Sequence, residues 1–137
     1  MKVFIYTDGA SRGNPGHASF GFVIFDESGK MIYEEGKYLG YQTNNVAEYQ
    51  AVLNALEYVK NNLDKVENIN FFADSRLVVE QLSGRFKIKN QNLKILVDQI
   101  KNLETKLGKV AYTHIYREEN KQADRLANIA LDKALHK

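Results

Sequence analysis

Val3, Ile5 and Thr7 alternate with Phe4, Tyr6 and Asp8 near the start of the chain, the period of two that a strand imposes on its faces. Two runs rich in β-branched and aromatic residues follow, 18–26 and 30–39. The turn residues Glu27-Ser28-Gly29-Lys30 separate them, so a hairpin is predicted after the first strand. The period then changes. Val46, Tyr49, Leu53, Leu56 and Val59 recur at helical spacing within 45–62. Val66 to Ala73 returns to an apolar strand; helices are predicted over 75–83 and 91–107, a strand over 110–116, and a last helix from about 120 to 135. This order, βββαβααβα, makes helices the crossovers between strands. It predicts an α/β fold with a five-stranded mixed sheet flanked by helices on both faces. No linker, repeat or low-complexity segment interrupts residues 1–137, and that length suits a single domain that buries about two thirds of its unfolded surface.

Composition narrows the chemistry. The absence of cysteine excludes disulfides, thiolate metal sites and cysteine nucleophiles, leaving oxygen or imidazole as metal ligands. The longest apolar run, Phe20–Phe25, is interrupted by Gly21 and is too short for a membrane span or a signal peptide. No membrane partner is expected, and a cytoplasmic location is. The net charge of +2 is unevenly divided, −3 over residues 1–68 and +5 over 69–137. Between Arg76 and Lys109 there are 8 basic and 3 acidic residues. The stretch Arg85-Phe86-Lys87-Ile88-Lys89 is either a field that attracts a polyanion or a solvated face, with Phe86 expected in the core.

Four acids stand in separate settings: Asp8 in YTDGASRGNPG, Glu48 in TNNVAEYQA, Asp74 in FFADSRLV and Asp124 in EENKQADRLAN. If the strands ending at Asp8 and Asp74 are parallel neighbours, as the helix between them predicts, both acids emerge at the carboxyl edge of the sheet, where open α/β sheets bind ligands. Glu48 and Asp124 are each expected in the first turn of a helix, on the side facing the sheet. Each acid alone has an ordinary explanation. Asn45 and Glu48 have the spacing of a capping box, Asp124 suits a helix N-terminus, and Asp8 and Asp74 suit turns or caps. None of these explains why all four are predicted at one end of one sheet, where their repulsion is costly without a cation. Clustered carboxylates with no cysteine and no paired histidine favour Mg²⁺, with Mn²⁺ as its substitute. Such sites suit phosphodiester hydrolysis, in which two ions about 3.5 to 4 Å apart stabilise the attacking water and the leaving oxygen.

Taken in order, with their flanking residues and spacing, the four motifs resemble those of the type 1 ribonuclease H family, from Val3 to about Ala134. The resemblance implies the ribonuclease H fold and endonucleolytic hydrolysis of the RNA strand of RNA–DNA hybrids, leaving 5′-phosphate and 3′-hydroxyl ends. It implies that Asp8 bridges two metal ions, that Glu48 and Asp74 complete the ligand set, and that Asp124 holds the ion that activates water. Asn14 in the turn Gly13-Asn14-Pro15-Gly16, Asn44 and Asn45 resemble the polar groups that read 2′-hydroxyls and base edges across the minor groove, and Gly9 is expected among the substrate-binding residues. Thr43 resembles the residue that grips a phosphate of the DNA strand.

The chain departs from the family pattern in three places. Several members have arginine where Tyr41 stands. The long lysine- and tryptophan-rich protrusion of some bacterial members is reduced to Ser83–Asn90, leaving Arg85, Lys87 and Lys89 as a smaller phosphate-binding strip. The glycine-containing loop that carries a histidine in many members is shortened to Tyr116–Asn120, where Arg117 is expected to attract phosphate or product charge. His114 falls inside a predicted strand and is expected to be structural. A monomer acting on hybrid is the leading expectation, with double-stranded RNA as a further candidate substrate. The alternatives are a weakly active binding module for hybrid or double-stranded RNA, and another nuclease on the same fold.

Overall fold

The computed structural model describes residues 1–136. Three long strands, β1 (Lys2–Gly13), β2 (Gly16–Asp26) and β3 (Met31–Gln42), precede α1 (Asn44–Asn62) and β4 (Asn68–Ala73). Then come α2 (Arg76–Leu82), α3 (Gln91–Thr105), β5 (Lys109–His114), a 3-10 turn (Arg117–Glu119) and α4 (Lys121–Leu135). The sheet order is β3-β2-β1-β4-β5; the β1–β2 and β2–β3 pairs are antiparallel, and β1–β4 and β4–β5 are parallel. The predicted element order and the mixed five-stranded sheet are both present.

The two faces of the sheet are covered differently. Val3, Ile5, Phe20, Phe22, Ile24, Ile69 and Phe71 pack with Val52, Leu56, Val59, Val97 and Ile100 of α1 and α3 in the main core. On the opposite face α4 lies over β1, β2 and β3, burying Ala123, Ala127 and Leu131. The fit is close at Gly21 of β2, where a Cβ would lie 2.4 Å from the Ala123 carbonyl oxygen and 2.8 Å from the Ala127 nitrogen. The adjacent Ser19 hydroxyl donates to the Ala127 carbonyl. Helices on both sides of β2 explain why Phe20–Phe25 is a continuous apolar run rather than an alternating one.

Several local expectations are corrected. β1 does not end at Asp8; it continues to Gly13 because β2 pairs with it as far as Gly13↔Gly16, whereas its pairing with β4 stops at Thr7↔Ala73. Asp8 therefore stands where β1 loses its parallel neighbour. The α1 N-cap is Thr43, whose hydroxyl oxygen accepts from Val46 N at 3.2 Å, so Asn45 and Glu48 form no capping box and Glu48 falls in the second turn. Phe86 is not a core residue and is 46% exposed. Arg85 N and Phe86 N both donate to the Glu80 carbonyl, closing a tight turn that holds Phe86 outward, while Ile88 packs against the core. His114 is likewise exposed. Val110 and Tyr112 reach the core, but His114 ends the edge strand β5 with its ring edge-on to Tyr116.

Replacing Gly21 by alanine forces a methyl group into the backbone of α4. The Gly21→Ala variant is expected to lose about 1–3 kcal/mol in a denaturant melt, as overpacked cores do; an unchanged midpoint would contradict the close packing of α4.

Candidate active site

Asp8 and Asp74 leave adjacent strands at the point where β1 and β4 part, and α1 brings Glu48 to them. The approach depends on Gly9, because a Cβ there would lie 2.6 Å from Glu48 N and 2.8 Å from the Ala47 carbonyl carbon. With no side chain in the way, the second turn of α1 rests on the β1 backbone, and Gly9 N also donates to Asp8 Oδ1 at 3.0 Å. One carboxylate oxygen from each of Asp8, Glu48 and Asp74 can be chosen so that all lie within 4.8 Å of one another. Asp8 is 4% and Glu48 3% exposed. Asp124, in the first turn of α4, faces the same cleft of about 770 Å³, whose lining also includes Arg117, Gly9, Asn14, Asn44 and Asn128. The four acids and Arg117 therefore line one cleft.

Two asparagines that sequence reasoning missed support the site from α4 and its start. Asn128 Nδ2 donates to the Asp124 carbonyl at 2.9 Å and to Asp124 Oδ1 at 3.1 Å, orienting that carboxylate from one turn along the helix. Their spacing of four residues was the available signal. Asn120, 1% exposed, donates from Nδ2 to the Thr7 carbonyl at 2.8 Å and so ties the start of α4 to the residue before Asp8. Nothing in a single Asn before a helix distinguishes this tie from an ordinary cap.

Burial dominates the electrostatics. Loss of water pushes the Asp8 pKa well up, and the neighbouring Glu48 and Asp74 charges push it further. Glu48 is also raised, first by burial and then by Asp74; the Gly9 N–H, Asp8 and Arg117 act in the opposite direction. Glu48 Oε2 is buried without a hydrogen-bond partner. An orphaned acceptor among crowded carboxylates is the environment a hard divalent cation satisfies, and the donor set, oxygen only, fits one.

A second hollow of about 440 Å³ adjoins the first and is lined by Asn14, Gln42, Thr43, Asn45, Asn90 and Asn92, among others. Asn14 borders both hollows, and its Oδ1 accepts from Asn44 N at 3.0 Å, fastening the hairpin turn to the start of α1. The predicted recognition residues thus divide, with Gly9 and Asn44 beside the carboxylates and Thr43 and Asn45 in the neighbouring hollow. Gln42, Asn90 and Asn92 were not foreseen there. Asn90 is the N-cap of α3, accepting from Asn92 N and Leu93 N. The basic strip lines neither hollow. Arg85 is held by Glu80 through two hydrogen bonds of 2.6 and 3.0 Å, while Lys87 and Lys89 are exposed on the loop leading to Asn90.

Residues 6–130 match a family model described as reverse transcriptase-like. The crystal structure of LC11-RNase H1 in complex with RNA/DNA hybrid superposes with a TM-score of 0.92 at 40% identity, over 97% of this chain and 99% of that one. The chain belongs to the type 1 ribonuclease H family. Among ribonuclease H relatives, the ribonuclease HI of Halobacterium salinarum is 39% identical over 97% of this chain and 66% of its own length. The bifunctional protein Rv2228c of Mycobacterium tuberculosis is 41% identical over 98% of this chain but only 36% of its own length. The chain thus spans about one third and two thirds of the length of these two curated relatives.

The raised acids set a pH dependence. A carboxyl whose folded pKa lies above its unfolded value stays protonated in the folded protein after the unfolded chain has released its proton. Its contribution to stability is therefore complete below about pH 4 and declines as pH rises toward the folded value. In metal-free protein, Asp8→Asn should escape part of this loss. Its melting temperature relative to the parent chain is expected to rise by about 3 °C or more between about pH 5 and pH 8, near 1 kcal/mol, and Mg²⁺ should cancel the gain. A difference independent of pH would contradict the buried-charge reading.

Proposed function

We propose that this ribonuclease H domain hydrolyses the RNA strand of RNA–DNA hybrids with divalent cations, Mg²⁺ or in its place Mn²⁺, held by Asp8, Glu48, Asp74 and Asp124. The observation that carries the reading is the set of three carboxylates gathered within 4.8 Å, two of them buried, with a Glu48 oxygen left without a partner. When bound, such ions supply positive charge to the scissile phosphate and lower the pKa of the attacking water, leaving a 5′-phosphate and a 3′-hydroxyl. The protein's own groups supply position. Asn128 holds the Asp124 carboxylate toward the cleft, and Gly9 N–H holds that of Asp8. Arg117, lining the same cleft, draws phosphate charge inward without exchanging protons.

Hybrid binding follows the two joined hollows. Asn14, Asn44 and Asn45 present amides to 2′-hydroxyls and base edges in the minor groove. The Thr43 hydroxyl accepts from Val46 N, which leaves its own proton to donate to a phosphate oxygen of the DNA strand. The complex of LC11-RNase H1 with hybrid supports this substrate, and the intact set of four acids favours catalysis over a binding module.

Matched hybrid, double-stranded RNA and DNA duplexes incubated with Mg²⁺, with Mn²⁺ or with chelator form the direct assay. Cleavage is expected of the RNA strand in hybrid and is expected to vanish with chelator; equal cleavage of DNA, or activity in excess chelator, would overturn the proposal. Asp8→Asn should lose at least about 100-fold in kcat. Asn45→Ala should raise KM for hybrid with little change in melting temperature, since Thr43 and not Asn45 caps α1; loss of fold in step with KM would refute the recognition role. Arg117→Ala should slow turnover roughly 10- to 100-fold while keeping the shape of the pH–rate profile, and an altered profile would assign Arg117 a different part.

A further inference from the structure

A separate concave site lies on the α4 face of the sheet, apart from the carboxylate cleft and the hollow that adjoins it. Its floor is Phe4, Tyr6, Val23 and Phe25, and its volume is about 400 Å³, within the range of small-molecule pockets. Tyr6 is held flat against Phe72, with centroids 5.0 Å apart, and edge-on to Phe25 at 5.9 Å. The platform is therefore rigid. Asp26, Glu27 and Glu119 line the site, and among the described residues no basic side chain does. Each of these acids is fixed by a backbone donor: Asp26 by Ser28 N and Lys30 N, Glu27 by Lys2 N, and Glu119 by Tyr116 N. Three preoriented carboxylates repel phosphate, so this site does not extend the nucleic-acid surface.

An independent observation comes from Asn120, which also lines the site. Its side chain is 1% exposed, its Nδ2 is committed to the Thr7 carbonyl, and its Oδ1 has no partner. A buried acceptor left without a donor is unusual and calls for an N–H group. An aromatic floor favours a flat body and a cation over its rings. The acids select positive charge, and the orphan oxygen selects a donor.

We propose that this cleft is a second ligand site, taking a small flat cation of the aromatic amidinium or guanidinium class, with its ring on Phe4, Tyr6 and Phe25 and its N–H groups toward Asn120 and the three acids. Benzamidine is the probe. The full chain, with Mg²⁺ present to occupy the carboxylate cleft, is titrated with benzamidine, neutral benzamide and anionic benzoate while backbone and aromatic NMR signals are followed. Saturable shifts centred on Tyr6, Phe25 and Asn120 are expected for benzamidine, binding at least about 10-fold weaker for benzamide, and none for benzoate, as a charge-assisted contact requires. The triple variant Asp26→Asn, Glu27→Gln, Glu119→Gln keeps the accepting oxygens that hold the local backbone but removes the charge. It should melt like the parent chain and bind benzamidine at least about 10-fold more weakly. Shifts that do not saturate, shifts centred on Asp8 and Glu48, or undiminished binding by a folded triple variant would each overturn the assignment.

Discussion

Three carboxylates kept within 4.8 Å at a largely dry position repel one another, and the arrangement around them exists against that repulsion. Gly9 removes the one side chain that would hold α1 away, so Glu48 reaches Asp8 through backbone contact rather than through a flexible stem. Gly21 does the same for α4, and Asn120 ties the start of that helix to Thr7, one residue before Asp8. The parting of β1 from β4 after Thr7↔Ala73 opens the gap into which the acids point. Core packing of α1 and α3 on one face and of α4 on the other thus fixes the charges from both sides.

This geometry has a chemical consequence. Where carboxylates are crowded by rigid packing, protons or cations relieve the strain, and the two compete for the same oxygens. The upward shifts of Asp8 and Glu48 describe the metal-free protein, whose acids lean toward the protonated state. A divalent cation held by these acids would displace those protons and would satisfy the orphaned Glu48 oxygen at the same time. On the proposed function, stability and activity would be coupled through one cluster, so a neutralised Asp8 would give a more comfortable fold and a poorer enzyme.

Much of this was legible in the sequence because it rests on periodicity and on motifs that are local. The change from period two to helical spacing placed every strand and helix, and the four acidic motifs identified the carboxylates that the fold brings together. What escaped depends on contacts between distant segments or on competition among neighbours. Thr43 and Asn45 are both adequate N-caps, and only the path of the chain out of β3 decides for Thr43. Phe86 is apolar enough for the core, yet the turn closed by Arg85 N and Phe86 N on the Glu80 carbonyl holds it outward, and Ile88 packs against the core instead. Next to it the Arg85 side chain is engaged by the Glu80 carboxylate, a pairing that the charge count alone does not reveal. Asn120 and Asn128 act through partners one turn or more than a hundred residues away, as with Asn120 and Thr7.

The central claim is that burial and mutual repulsion hold protons on Asp8 and Glu48 until a divalent cation replaces them. Side-chain carboxyl ¹³C NMR, titrated over pH with and without Mg²⁺, observes both groups directly. The account predicts that in metal-free protein both titrate well above the ordinary carboxylate range, and that saturating Mg²⁺ brings both transitions down by at least about one unit. Ordinary carboxylate titration without metal, or transitions indifferent to Mg²⁺, would contradict it.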